Sequence, residues 1–253
     1  MLRWFTADLH VHTCLSPCGD VTMSPRRIIR EALRRELDML AVTDHNSAEN
    51  TGAVIRAAEG STIRVIPGLE VCSMEEVHIL ALFETVPPAL RLQQEVYDGI
   101  PSMNNPEVFG MQVIANEFDE VEGFQERLLI GATEMSVDEV VRRIHELDGV
   151  AIASHVDRQS YGILGQLGFI PDTVRFDALE VSASASEGEV HRLMRQYDGY
   201  AFVRNSDAHA LDQVGAQTTS VFLEQPTVRE LARAFRRENG RKVAAPAGRE
   251  GGS

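Results

Sequence analysis

Short apolar runs rich in β-branched residues alternate with amphipathic helical patterns along this chain, and that alternation leaves few folds open. "RWFTADL" reads as a strand. "SPRRIIREALRRELD" follows as a helix, with Ser24 at the N-cap and Pro25 at the first helical position, where a missing N–H costs nothing. "MLAVT" is a short buried strand, and "SAENTGAVIRAAEG" is a helix stopped by Gly60. "IRVIPGLEV" and "VHILALF" are strands. "SVDEVVRRIHELDG" carries a capping-box start, Ser136 with Glu139, and a glycine stop at Gly149. "VAIAS", "DALEVSA", "YAFVRN" and "SVFLE" are further strands; "SEGEVHRLMRQYDG" and "TVRELARAFRREN" are further helices. Repeated βα units predict a parallel sheet covered by helices. Roughly seven or eight strands in a chain of 253 residues favour a closed or nearly closed barrel over an open sheet.

Residues 84 to about 135 break this rhythm. "TVPPALRLQQEVYDGI" holds a short helix, and "MQVIANEFDEVEGFQERLLIGA" two strands around the turn signals Asp119, Glu120 and Gly123. The segment is an insertion, either a lid over a site or a surface hairpin without a role. The end of the chain, 244–253, is small and polar and has the composition of a disordered tail.

The eight histidines are not scattered. His10 and His12 close the first strand, two apart and so on one face of it. His45 closes the second, His155 closes "VAIAS", His209 follows "YAFVRN", and His78 stands at the head of "VHILAL". Five of these six therefore lie at carboxyl ends of strands, which in a parallel barrel share the face where active sites are built. Asp8, Asp44, Glu70 and Asp207 occupy similar places. A single histidine at a strand end is usually an ordinary hydrogen-bonded residue; six on one rim are not explained that way. His145 and His191 fall inside helical patterns beside charged residues and read as surface histidines. Imidazole with carboxylate suits zinc, manganese and iron. The ligands are too many for one tetrahedral ion and imply two or three, with a carboxylate such as Glu70 as bridge. Two ions about 3.5–4 Å apart can clamp the attacking and leaving oxygens of a phosphoryl transfer.

The formal net charge of −14 disfavours a sequence-blind grip on a nucleic-acid backbone. It leaves a small phosphorylated substrate open, because bound divalent cations reverse the local sign. No apolar run reaches the roughly 18 residues of a membrane helix. Three cysteines, Cys14, Cys18 and Cys72, are too few and too uneven for a disulfide framework, and a reducing cytoplasm is the expected home.

In order along the chain, "DLHVHT", "VTDHN", "GLEV", "VHIL", "SHVDR" and "NSDAH" resemble the motifs of the PHP (polymerase and histidinol phosphatase) superfamily, from the first strand to about residue 223. The resemblance implies an α/β fold, a distorted (β/α)7 TIM-like barrel over residues 1–240, with a trinuclear metal site at the carboxyl ends of the strands. It places His10, His12, Glu70 and Asp207 at a first ion. His78 and His155 match the second, with Glu70 bridging, and His45 and His209 match the third. Family members place a His or Asp a few residues after the HxH. Here the region reads "CLSPCGD", so Cys18 or Asp20 completes the third set. Cys18 has the better spacing; Asp20 has the more usual chemistry and is spared the oxidation an open thiol invites. Arg158 is a candidate to hold a phosphate oxygen, the alternative being a surface arginine. Asp44, and Asp8 likewise, are candidates to orient the ligands beside them. The implied reaction is hydrolysis of phosphoesters by in-line attack of a metal-bound hydroxide, on small substrates such as nucleotides. Alternatives are an exonuclease on short single-stranded oligonucleotides and a non-catalytic metal-binding module.

Overall fold

From Phe5 onward β1 (Arg3–Val11) is buried on both faces, Thr6 only partly, as a strand covered from two sides must be. The computed structural model describes residues 1–246. After β1 come α1 (Pro25–Arg34), β2 (Met39–Val42), α2 (Thr51–Ala57), β3 (Arg64–Cys72) and β4 (His78–Leu82). Residues 84–135, read above as an insertion, hold α3 (Val86–Asp98), whose Ala89, Leu92 and Val96 join the main core, then α4 (Pro106–Phe109), β5 (Val113–Ala115) and β6 (Val121–Phe124). The chain continues through α5 (Val137–Glu146), β7 (Val150–Ala153), α6 (Ile163–Leu167), β8 (Ala178–Glu180), α7 (Glu187–Gln196) and β9 (Ala201–Val203). It ends with β10 (Thr219–Leu223), α8 (Val228–Phe235) and β11 (Lys242–Val243).

Nine strands form one sheet in the order β11-β10-β1-β2-β3-β4-β7-β8-β9. The βα rhythm predicts a parallel sheet, and this one departs from it. β1, β2 and β3 pair in parallel, as do β7, β8 and β9, but β4 runs antiparallel to both β3 and β7. The cause is the short connection 73–77, which makes a hairpin and cannot make a crossover. Reversal has a use: it carries His78, the first residue of β4, to the edge where the neighbouring strands end. Past β9 the ring shuts on β1. Ala208 forms a parallel bridge with Val11, and His12 N–H donates to the Ala208 carbonyl at 3.0 Å. At the other end β10 pairs antiparallel with Arg3–Ala7 of β1. Here α8 packs Leu231 and Phe235 into the cluster formed by Phe5, Leu9, Ile66 and Ile152.

Local signals act where expected, with two exceptions. The capping box of α5 is present: the Ser136 hydroxyl accepts from Glu139 N–H, and the Glu139 carboxylate accepts from Ser136 N–H. Ser24 stands at the N-cap of α1, with Pro25 after it, but its side chain makes no capping bond. α2 begins at Thr51, later than the pattern suggests. Residues 46–50 are drawn to other partners: Ser47 takes the Tyr97 hydroxyl and Asn50 donates to Thr13 Oγ1 and the Val113 carbonyl. These bonds also fasten the insertion. Val113 N–H donates to the Cys14 carbonyl, and Asn46 donates to the carbonyls of Leu129 and Gly131. The insertion therefore lies against the loop that follows β1. Of the expected tail, Ala244 N–H still donates to the Ser220 carbonyl, and 247–253 lie outside the described residues. Among the described residues no helix is long and apolar enough to cross a membrane.

Candidate metal centre

Glu70, near the end of β3, is 1% exposed and has five imidazoles around its carboxylate. His10 Nε2, His78 Nδ1 and His155 Nε2 stand 3.2, 3.1 and 3.3 Å from Oε1. His45 Nδ1 is 3.1 Å and His12 Nε2 3.6 Å from Oε2. Each comes from the end of a different strand, except the pair on β1. Burying so many polar groups is costly unless they are satisfied. Several are not: Glu70 Oε1, His45 Nδ1, both ring nitrogens of His78 and His155 Nδ1 are buried without a hydrogen-bond partner. Of these, Glu70 Oε1 and His78 Nδ1 stand 3.1 Å apart, and His45 Nδ1 stands 3.1 Å from Glu70 Oε2, without pairing as donor and acceptor. Two atoms that each bind one ion at about 2.1 Å lie roughly 3–3.4 Å apart, so these separations fit lone pairs that converge on shared cations. The His10 and His12 Nε2 atoms, 3.2 Å apart, fit in the same way.

Three groups have ligand atoms all within 4.8 Å of one another: His10, His12 and Glu70; His45, Glu70 and His78; His12, His45 and His209. Glu70 belongs to two of them, and neutral imidazole with carboxylate is a donor set for divalent ions. Asp207 joins the first group, its Oδ1 lying 3.2 Å from His10 Nε2 and 3.4 Å from His12 Nε2. Its other oxygen takes Arg158 Nη2 at 2.7 Å. Both Asp207 (φ 51°) and His155 (φ 28°) hold left-handed backbone conformations, a strain that concentrates at functional sites.

Behind these atoms stands a layer of anchors. His10 Nδ1 lies 2.9 Å from Glu180 Oε2, which also accepts from His155 N–H, while Glu180 Oε1 accepts from Asn205. Neither Glu180 nor Asn205 is picked out by the sequence reading, although Glu180 closes an otherwise apolar strand and that oddity is visible in "DALEVSA". Asp44 approaches the centre indirectly. It accepts from the Ser16 hydroxyl and from Thr13, and Ser16 Oγ in turn meets His12 Nδ1 at 3.0 Å. Asp8 accepts from the N–H and hydroxyl of Ser206 and from Gly215 N–H, which fixes the segment that carries Asp207. Burial pushes the Asp8 carboxyl up to about 6, its hydrogen bonds opposing. Glu70 goes the other way. Burial raises its pKa, but the charges of His78 and His10 outweigh burial and hold it well below the usual range.

Cys18 and Asp20 part company. Partial burial raises the Cys18 thiol, but hydrogen bonds with His209 and His45 prevail and bring it down to about 6. The Asp20 carboxylate turns into its own loop, where Oδ1 accepts from Thr22 N–H at 2.7 Å. Of the two candidates, the fold brings Cys18 to the third group of histidines and turns Asp20 away. His145 is remote, paired with Asp177 at 2.9 Å, and His191 lies exposed on α7.

Known proteins share parts of this plan. The 5'-3' exoribonuclease Rnm of Salmonella typhimurium (strain LT2) is 32% identical over 93 residues, 33% of this chain and 30% of that protein. Matched stretches span 26% to 58% of the curated relatives' own lengths. The lesion-specific endonuclease PfuEndoQ from Pyrococcus furiosus superposes with a TM-score of 0.75 at 18% identity, over 95% of this chain and 58% of that one. A candidate metal-dependent phosphoesterase from Bifidobacterium adolescentis does so with a TM-score of 0.57 at 17% identity, over 80% and 87%. At such identities the structural likeness is one of fold. The PHP domain pattern is more specific: it runs over residues 8–224, from the carboxylate that ties down the Asp207 segment to the end of β10, and by that match the chain belongs to the PHP domain family.

Proposed function

We propose that this chain is a metal-dependent phosphoesterase of small substrates such as nucleotides, using two or three divalent ions of zinc, manganese or iron. His10, His12, Glu70 and Asp207 would hold one ion, His78 and His155 with Glu70 a second, and His45, His209 and Cys18 a third. The observation that carries this reading is the buried Glu70 carboxylate ringed by five imidazoles, its own Oε1 and the facing His45 and His78 Nδ1 atoms lacking hydrogen-bond partners. Divalent ions bound there would supply Lewis acidity, a lowered pKa for a water, and neutralisation of phosphoryl charge. The chain's own residues prepare the site for them. Glu180 keeps the His10 proton on Nδ1, so that Nε2 presents its lone pair inward. Ser16, fixed by Asp44, does the same for His12. Arg158 spends one nitrogen on Asp207 and has further N–H donors for a non-bridging phosphate oxygen.

A second reading, cleavage at the end of a short single strand, is favoured by the exoribonuclease and endonuclease activities named for two of the similar proteins. The test is hydrolysis of a chromogenic phosphate monoester, its diester, and end-labelled short RNA and DNA, with and without manganese. Metal-dependent turnover of the monoester supports the first reading, and release of single nucleotides from the strands supports the second. No turnover of any of them by protein loaded with stoichiometric metal would leave only a non-catalytic metal-binding module.

A further inference from the structure

The segment after β7, residues 155–165, folds back on itself more tightly than side chains at every position would permit. A Cβ at Gly162 would stand 2.5 Å from the Arg158 carbonyl oxygen and 2.8 Å from that of His155. A Cβ at Gly165 would meet the carbonyl oxygens of Gln159 and Arg158 just as closely. Tyr161 sits at φ 62°, a conformation that bulky residues avoid. This wrapping delivers two side chains to the mouth of the metal centre. The Tyr161 ring stacks on the His78 imidazole, with centroids 4.4 Å apart and planes at 21°, and its carbonyl accepts from His78 N–H. Arg158 braces Asp207, whose other oxygen faces His10 and His12. Although one ring face is covered, Tyr161 remains 37% exposed, and Arg158 remains 41% exposed.

We propose that this loop selects the substrate, with Tyr161 as a stacking platform for a nucleobase and Arg158 as a donor to the phosphate attached to it. The proposal rests on the phosphoesterase reading and narrows it to esters that carry a base, whether free nucleotides or the ends of short strands. Its chemistry is that of single-strand binding sites, where an aromatic face accepts any base because every base has a π-face. An aliphatic phosphate ester would use Arg158 and the ions and leave Tyr161 bare.

Binding reads this without turnover. The full chain, reconstituted with manganese, is titrated calorimetrically with a nucleoside 5'-phosphonate whose ester oxygen is replaced by CH2, with a trinucleotide bearing the same end group, and with ethylphosphonate. The wild type is expected to bind the nucleoside phosphonate about tenfold more tightly than ethylphosphonate. Tyr161→Ala should lose about that tenfold advantage, Tyr161→Trp should keep it, and both should retain their metal. Arg158→Ala should weaken both small ligands by the same factor. Equal affinity for the trinucleotide supports the proposal with strand ends as the source; weaker affinity supports it with free nucleotides. The proposal is overturned if Tyr161→Ala keeps the nucleoside advantage. It is also overturned if that change weakens both ligands alike or sheds metal, since Tyr161 would then be a cover for His78. A protein that cleaved no ester would refute the phosphoesterase reading, whereas this ratio of affinities tests the platform alone.

Discussion

Glu180→Gln should weaken the metal centre about ten- to a hundredfold with no change in side-chain size. In the wild type, Oε2 accepts from His10 Nδ1 at 2.9 Å and from His155 N–H at 3.1 Å, while Oε1 accepts from Asn205 Nδ2 at 2.8 Å. A glutamine has one oxygen for these three donors, so its NH2 must face either the histidines or Asn205. Asn205 cannot turn its amide over to help. Its Oδ1 already accepts from Leu9 N–H at 3.0 Å and meets Thr219 Oγ1 at 3.1 Å. One buried donor therefore stays unsatisfied, at about 1–3 kcal/mol. With the NH2 towards the histidines, that cost falls on the form of His10 that a metal needs, with its proton on Nδ1, and corresponds to about 5- to 150-fold in affinity. Competition with a chromophoric chelator measures it directly. The rise in melting temperature on adding saturating metal should shrink with the lost affinity. A folded Glu180→Gln protein whose metal affinity stays within twofold of wild type would refute the argument.

Three further outcomes are expected. Glu70→Gln should lose bound metal and hydrolysis together, while His145→Ala should lose neither; equal losses, by elemental analysis and rate, would mean that the histidines are wrongly sorted. Cys18→Ala should cost one ion per chain, and Asp20→Ala none, by the same elemental analysis. In metal-free protein, alkylation of Cys18 followed by mass spectrometry should rise with pH through about 6 and then level off, since the thiolate is the reacting form. Cys14 and Cys72, buried and with thiols pushed up to about 12, should stay unmodified, and added zinc should protect Cys18.

The rim of histidines was legible in the sequence because strand ends in a βα rhythm have a known destination. His78 did not fit that rule, since it stands at the start of its strand. The five residues 73–77 that reverse β4 are visible as a short connection, but which strand lies beside β4 is a fact of the sheet. Glu180 shows how far legibility goes. A charge at the end of an apolar triplet is conspicuous, yet its partner His10 is 170 positions away and nothing local points there. Between Cys18 and Asp20, spacing favoured the cysteine and the usual ligand chemistry the aspartate. What neither signal shows is the small turn in which Thr22 N–H captures the Asp20 carboxylate. The late start of α2 has the same origin, because Ser47 and Asn50 bond to distant residues in preference to their own helix.

The closure of the ring beside the candidate metal ligands has a consequence for how the molecule is made. The seam is held by Ser206 on Asp8, by Asn205 on Leu9 and by His12 on Ala208, pairs separated by 198 and 196 positions in the first two cases. Contacts of such high contact order form late, after the intervening chain has been ordered and its loop entropy lost. The same step that shuts the barrel brings Asp207 to His10 and His12. During synthesis, a ribosome-bound chain released as far as residue 204 has every strand from β1 to β9 and no seam. Such a nascent chain can gather imidazoles around Glu70, but it lacks Asp207 and His209. Competence for metal should therefore appear as one abrupt event, once residues 205–209 are free to fold and the last turn of the wall meets the first.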